Sequence, residues 1–118
     1  MKKTIILLAL VAAMLLTAVS AYAFRAKEVV GFEIDPNPMD EFCNIYITIQ
    51  SPAYMYLRVE TLEGEVVSDI FSGYADKEIS FTWDRYTETG EYLPSGNYVV
   101  ILSLDQRYTS IKKTLILK

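Results

Sequence analysis

Apolar and polar residues alternate with a period of two along most of the chain beyond residue 28. The segment 44–50 shows this most clearly, with Ile45, Ile47 and Ile49 at every second position. Such a period places alternate side chains on one face of an extended strand, whereas a helix would require a period near 3.6. The chain is therefore predicted to consist of strands that each bury one face.

Seven segments of this kind are separated by residues that favour turns. The predicted strands are residues 28–34, 44–50, 54–62, 65–71, 77–84, 96–104 and 108–117. Pro36 and Pro38 follow the first of them, and Ser72-Gly73 is predicted to end the fourth. Seven short antiparallel strands without a helical period predict an all-β, immunoglobulin or fibronectin-III-like sandwich of two sheets.

The third and fifth strands supply much of the predicted core. Their inward residues are expected to be Met55, Leu57 and Val59, and Ile79, Phe81 and Trp83. Trp83 has the largest apolar surface of these, so we expect it to anchor the core.

The first 23 residues have the three parts of a secretory signal peptide. Lys2 and Lys3 form a basic start, residues 4–19 carry no charge, and Ala21 and Ala23 provide small residues for cleavage. The alternative is a retained membrane anchor, because residues 4–23 approach the length of about 20 that spans a bilayer. Cleavage is favoured, leaving one domain of residues 24–118 in a protein exported to the periplasm or beyond.

Charge and composition exclude several classes of function. Loss of Lys2 and Lys3 would leave nine of eleven basic residues against fifteen acidic ones, a net charge of −6 instead of −4. Nucleic-acid binding is not expected, since it depends on clustered basic residues and Lys112-Lys113 is the one adjacent pair left. The chain has no histidine, which excludes histidine-based triads and imidazole metal sites within it.

Segments 35–38, 45–49, 57–67 and 81–98 form a series that resembles the FlgD-like immunoglobulin domain. The most specific part runs from Trp-Asp through a glycine-containing loop to Pro-Ser-Gly-x-Tyr. Its residues here are Trp83, Asp84, Gly90, Pro94, Gly96 and Tyr98. The resemblance implies an immunoglobulin-like sandwich over nearly the whole chain after residue 23.

The motif residues have expected structural roles. Asp84 can accept backbone hydrogen bonds, Gly90 and Gly96 suit positive φ, and the Tyr98 hydroxyl can tie down a loop. Family members usually have glycine directly after Trp-Asp, whereas this chain has Arg85. The turn is therefore expected to differ, or the arginine to project outward.

The resemblance implies a fold more than a function. The family includes the sandwich domain of the flagellar hook-capping protein and modules at the C-termini of exported bacterial proteins, among them type IX secretion sorting domains. The predicted signal peptide argues against hook capping, and sorting or anchoring is disfavoured because the chain carries no cargo domain. A free-standing module in the bacterial cell envelope is the remaining expectation.

Acidic residues in two loops are candidates for catalytic or metal-binding groups. The catalytic candidates are Asp35, Asp40 and Glu41, and Glu88 with Glu91. A sandwich of this size offers little cleft for a carboxylate pair, so solvated loop charges are favoured and an enzyme is not expected. Calcium could use Asp35, Asn37, Asp40 and Glu41, but turn formation before proline is favoured. No cofactor or metal is predicted.

Cys43 and four tyrosines are the remaining candidates. Cys43 is predicted to be buried, the alternative being a disulfide with another protein. The candidate interaction surface consists of Tyr54, Tyr56, Tyr86 and Tyr92. These residues, or an exposed sheet edge, favour a non-enzymatic module that contacts another protein. The alternative is a carbohydrate-binding module in which exposed rings stack on sugars.

Overall fold

The computed structural model describes residues 29–105 and 110–118. The predicted signal peptide and residues 24–28 lie outside this part of the chain, as do residues 108 and 109 at the predicted start of the last strand. Within the described residues, no helix has the length and apolar character needed to cross a bilayer.

The described residues form seven strands, as the period of two predicted. They are β1 Val29–Asp35, β2 Cys43–Ile49, β3 Ala53–Thr61, β4 Val66–Ala75, β5 Glu78–Trp83, β6 Gly96–Leu104 and β7 Ile111–Leu117. Strands β1, β2 and β5 form one antiparallel sheet, and the other sheet has the order β4-β3-β6-β7. This confirms the predicted all-β sandwich of two antiparallel sheets.

Strand β4 is longer than predicted, because Ser72 and Gly73 do not end it. Both residues continue the pairing with β3, where Gly73 lies opposite Met55. The Phe71 ring lies so close to Gly73 that an added Cβ would approach its Cζ to 3.3 Å. An aromatic ring can thus pack over a glycine within a strand, and here the strand continues where a break was predicted.

The core lies between the sheets and contains the residues that the alternation placed inward. Ile45, Ile47 and Ile49 are buried, and so is Trp83. The remaining central residues are Met55, Leu57, Val59, Tyr98, Val100, Leu102, Leu115 and Leu117. Ile79 and Phe81 are partly buried and pack against this cluster. Burial of these apolar side chains is the main term favouring the fold.

The connection from β1 to β2 crosses from one sheet to the open edge of the other. Met39 is fully buried; its N–H donates to the Ile116 carbonyl, and its own carbonyl accepts from the Lys118 N–H, both at 2.9 Å. The Asn37 side chain donates to the Thr114 carbonyl and accepts from the Ile116 N–H. This connection covers the C-terminal half of the β7 edge, which would otherwise be open to another strand.

Candidate functional site

The four tyrosines predicted as one interaction surface form two separate pairs. The rings of Tyr54 and Tyr56 have centroids 5.2 Å apart, and so do those of Tyr86 and Tyr92. The Trp83 indole N–H lies within hydrogen-bond distance of both Tyr86 O and Ser68 Oγ.

Ser68 can be used to locate the Tyr86 and Tyr92 pair, because the Trp83 indole N–H contacts both Ser68 and Tyr86. Ser68 lies opposite Val59, five residues along β3 from Tyr54. At about 3.4 Å per residue, the two pairs are separated by roughly 17 Å along the strand. The four tyrosines therefore do not form one continuous surface, and the strand face and the loop are separate candidates.

Tyr86 and Tyr92 instead share a groove with Phe42, a residue outside the predicted interaction surface. We call this the aromatic groove and define it by its lining residues, which are Glu41, Phe42, Asp84, Tyr86 and Tyr92. It is open to solvent, with a volume of about 470 Å³. Phe42, Tyr86 and Tyr92 are 53%, 45% and 49% exposed. Three large rings exposed around one groove are suited to contact with a ligand.

The position of Phe42 could have been derived from the period of β2. Cys43 and Ile45 both point inward at the start of that strand. The residue immediately before Cys43 then points to the opposite face. A phenylalanine at an outward position next to a loop is the signal that marks this site.

Arg85 holds the loop that carries two of the three rings. The residue is only 4% exposed, and its backbone has a φ of 68°. Its guanidinium donates to the carbonyls of Leu93, at 2.9 Å, and Asp40, at 2.7 Å, and contacts Ser95 Oγ at 3.5 Å. The arginine therefore does not project outward. It keeps a backbone conformation that glycine adopts readily and uses its side chain to join the two loops.

Further hydrogen bonds close the loop between Asp84 and Leu93 on itself. The Thr87 N–H donates to the Glu91 carbonyl at 2.8 Å, and the Leu93 N–H donates to the Arg85 carbonyl at 3.0 Å. Gly90 forms the tip, where its φ of 85° would strain any other residue. The loop is therefore a hairpin of fixed shape that supports Tyr86 and Tyr92.

The motif residues take the structural roles expected of them. Asp84 Oδ1 accepts from the Tyr86 N–H at 3.2 Å, and the Tyr98 hydroxyl donates to the Pro94 carbonyl at 3.0 Å. Gly96 has a φ of 152°, which together with Gly90 confirms the expected positive φ values. These residues fix the course of the loop, and Asp84 also lines the groove beside the exposed rings.

The other tyrosine pair belongs to the outer surface of the four-stranded sheet. Tyr74 lies directly opposite Tyr54 in the β3–β4 pairing and is 72% exposed, and Tyr56 follows two residues along β3. We call Tyr54, Tyr56 and Tyr74 the tyrosine face. Tyr74 was missed because the predicted fourth strand ended at residue 71.

The acidic candidate residues make contacts of different kinds. Glu88 Oε1 accepts from the Asp69 N–H at 3.1 Å, and Asp40 lies 3.7 Å from Lys118 Nζ. Asn37, proposed as a calcium ligand, uses both polar atoms of its side chain on β7. Among residues 29–105 and 110–118, no three acidic or cysteine side chains lie in an arrangement that could hold a metal ion.

Cys43 begins β2 and is fully buried, as predicted. Desolvation by the surrounding core raises the pKa of its thiol from 9.0 to about 11. The fold therefore disfavours the thiolate. Below pH 9 the thiol is neutral in both states and the protein keeps its full stability, whereas between pH 9 and about 11 the unfolded chain ionises first and the free energy of unfolding falls.

Burial of this thiol predicts slow chemical modification. In the folded protein at pH 8, iodoacetamide should label Cys43 at least about a hundredfold more slowly than in guanidinium chloride, since only the exposed thiolate reacts. Mass spectrometry of timed samples measures both rates. Equal rates in the two conditions would show that the first residue of β2 opens freely.

Comparisons with known proteins support the fold without assigning a family. No family model matches the sequence, and no curated protein matches it. Among solved structures, part of dimeric latent PorU from Porphyromonas gingivalis superposes with a TM-score of 0.60 at 16% identity. The match covers 73% of this chain and 9% of PorU, so it extends to a small part of that protein. The chain is thus an immunoglobulin-like sandwich similar in fold to one region of PorU, and its likeness to FlgD-like domains is supported at the level of the sandwich alone.

Proposed function

We propose that the chain is an exported, non-enzymatic binding module that contacts another protein of the bacterial cell envelope through the aromatic groove. The observation that carries this proposal is the exposure of Phe42, Tyr86 and Tyr92 around one groove. Aromatic rings are enriched at the energetic centres of protein interfaces, because they bury a large area while few bonds lose rotation.

The loop that bears the groove supports the proposal as well. Arg85 and the hydrogen bonds between Thr87 and Glu91 hold Tyr86 and Tyr92 in place before any partner arrives. A surface that is already ordered loses less conformational entropy when it binds. Export is proposed from the predicted signal peptide, and the fold shared with a region of PorU is compatible with it.

The other protein-binding route, strand addition at a sheet edge, has less support. Residues 37–39 cover much of the β7 edge, and the Glu88 side chain occupies the Asp69 N–H of edge strand β4. Covered backbone groups are not available to an added strand. The groove is therefore the stronger candidate for a protein contact, and a sorting or anchoring role has no separate support.

Site-specific crosslinking in intact cells tests this proposal. A photo-reactive amino acid would replace Tyr92 in one strain and Tyr74, which lies on the tyrosine face, in the other. We expect a discrete crosslinked partner from position 92, reduced at least about fivefold when Phe42→Ala is added, and no such product from position 74. The same partner from both positions, or one insensitive to Phe42→Ala, would contradict the groove as the contact surface. Fractionation of these cells also shows whether the chain is cleaved near Ala23.

Carbohydrate binding is the second candidate, and the tyrosine face is the observation that favours it. Tyr54 and Tyr74 lie side by side on neighbouring strands, with the half-buried Tyr56 beside them. Flat, exposed rings can stack on the apolar faces of sugars. The Tyr54→Ala/Tyr74→Ala variant should lose binding to a retained polysaccharide while Phe42→Ala keeps it. Failure of the unaltered protein to bind any member of a polysaccharide panel would remove this candidate.

A further inference from the structure

We infer that the aromatic groove receives a positively charged side chain, the arginine or lysine of a partner protein. This inference rests on the proposed function, because it specifies the chemistry of the contact that the groove would make. Its basis is the combination of three exposed rings with the carboxylates of Glu41 and Asp84 in one lining.

Aromatic rings attract cations because the face of a ring carries partial negative charge. Phe42, Tyr86 and Tyr92 are each about half exposed, so their rings are accessible to a side chain entering from solvent. Tyr86 and Tyr92 meet edge to face, with an angle of 66° between their planes. Rings inclined in this way form two walls of a groove, and Phe42 adds a third aromatic surface.

The structure already contains one example of this interaction at the groove. The guanidinium carbon of Arg85 lies 4.7 Å from the centroid of the Tyr92 ring. Arg85 belongs to the buried support of the loop, so it does not fill the groove itself. Its charge nevertheless opposes a second cation nearby, and the groove must compensate for that repulsion.

The two carboxylates supply this compensation. The hydrogen-bond acceptors of Arg85 are the carbonyls of Leu93 and Asp40 and the hydroxyl of Ser95, all of them neutral. Within the described residues, Glu41 makes no ion pair, and Asp84 uses one carboxylate oxygen on the Tyr86 N–H. Lys118 beside the groove is matched by Asp40. The groove thus keeps negative charge for a ligand.

An anionic or purely apolar partner fits this lining less well. An anion would meet the carboxylates of Glu41 and Asp84 as well as the negative faces of the rings. An aliphatic side chain would bury those carboxylates without a partner, which costs free energy. A guanidinium or ammonium group satisfies both the rings and the charges.

Short peptides with both ends blocked test the charge requirement directly. The ¹⁵N-labelled protein, as isolated from the exporting host, would be titrated with acetyl-Gly-Arg-Gly-amide, its lysine counterpart and its neutral citrulline counterpart. We expect saturable NMR shifts at Phe42, Tyr86 and Tyr92, and at the indole N–H of Trp83, which contacts the Tyr86 carbonyl. Dissociation constants should be millimolar for the charged peptides and at least about fivefold weaker for citrulline.

Charge-neutral variants provide a matched comparison. Glu41→Gln/Asp84→Asn should weaken the arginine peptide about three- to tenfold, whereas Glu33→Gln/Glu78→Gln, an equal change of charge at residues that do not line the groove, should not. Both control residues are exposed on strands β1 and β5. Phe42→Ala, which alters an exposed ring outside the Arg85 loop, should also weaken binding. Raised salt should reduce it further, because the charges are at the surface.

Several outcomes would overturn this inference while leaving the proposed function standing. Equal binding of the citrulline peptide, or equal loss in both pairs of charge variants, would remove the role of the carboxylates. Binding of tetramethylammonium but of neither charged peptide would assign the groove to a quaternary ammonium group instead. A crosslink at position 92 that persists in Glu41→Gln/Asp84→Asn would show a partner held without the charge. Absence of any groove-dependent crosslink would instead refute the proposed function.

Discussion

Replacing Arg85 by alanine is expected to lower the free energy of unfolding by about 2–4 kcal/mol. The change removes donors from the carbonyls of Leu93 and Asp40, and hydrogen bonds to a charged group contribute more than neutral ones. It also leaves a non-glycine residue at a φ of 68°, so the strain of that backbone remains without its compensation. The loss therefore comes from the hydrogen bonds, because the strain is the same in both proteins.

Arg85→Gly separates the strain from the hydrogen bonds. Glycine loses the same donors but accepts positive φ, which should make this variant more stable than Arg85→Ala by about 0.5–1 kcal/mol once the greater freedom of unfolded glycine is included. Guanidinium unfolding followed by circular dichroism measures all three proteins. If Arg85→Gly were the less stable variant, the backbone at this position would not be strained by a side chain. Stability equal to that of the unaltered protein in both variants would show that the buried guanidinium contributes nothing.

Most of the fold could be predicted because its strands depend on local alternation. Ile45, Ile47 and Ile49 point inward for the same reason that they are spaced by two, and no distant residue is needed to deduce it. Strand ends were harder, as Gly73 shows. Gly73 remains in β4 because it pairs with β3 and because the Phe71 ring packs over it. The tendency of Ser-Gly to form turns gives no information about either contact.

The role of Arg85 could not be predicted from its neighbours in sequence. One of its acceptors, the Asp40 carbonyl, lies 45 residues away, and it is brought near by the connection that covers β7. A glycine-favouring position filled by arginine suggested a changed turn or an outward side chain. To predict that the guanidinium is buried, one would have to know that carbonyl groups of two separate loops lie close to it.

The four candidate tyrosines remain predictions as binding residues, and the structure divides them between two surfaces. Tyr86 and Tyr92 lie together because the loop closes on itself. Tyr54 lies elsewhere because it is near the start of β3, whereas the loop lies near Ser68, which pairs with Val59 five residues later. Phe42 and Tyr74 complete the two surfaces. Neither was predicted, because Phe42 lies just before β2 and Tyr74 lies beyond the predicted end of the fourth strand. Sites assembled from several loops depend on the contacts between elements, which the alternation of one strand does not describe.

Trp83→Ala is expected to have the largest effect on stability, lowering the free energy of unfolding by about 3–5 kcal/mol. Trp83 is the largest buried side chain of β5, and its indole N–H reaches Ser68 Oγ on the opposite sheet at 3.2 Å. Its removal leaves a cavity between the sheets and an unpaired serine hydroxyl, because Ser68 is buried as well.

Trp83→Phe and Ser68→Ala divide this effect into packing and hydrogen bonding. Phenylalanine retains much of the ring and loses the indole N–H, so a cost of about 1–2 kcal/mol is expected, and Ser68→Ala should cost about 1 kcal/mol. Denaturant unfolding followed by far-ultraviolet circular dichroism is suitable, since it does not rely on the tryptophan itself. Similar losses for Trp83→Ala and Trp83→Phe would mean that the hydrogen bonds, and not the volume of the ring, hold the two sheets together at this point. A loss below about 1 kcal/mol for Trp83→Ala would contradict its place as the anchor of the core.

The same variants test the groove, because the Tyr86 carbonyl is the second acceptor of the indole N–H. Trp83→Phe should therefore shift the resonances of Tyr86 and Tyr92 even where the fold is retained.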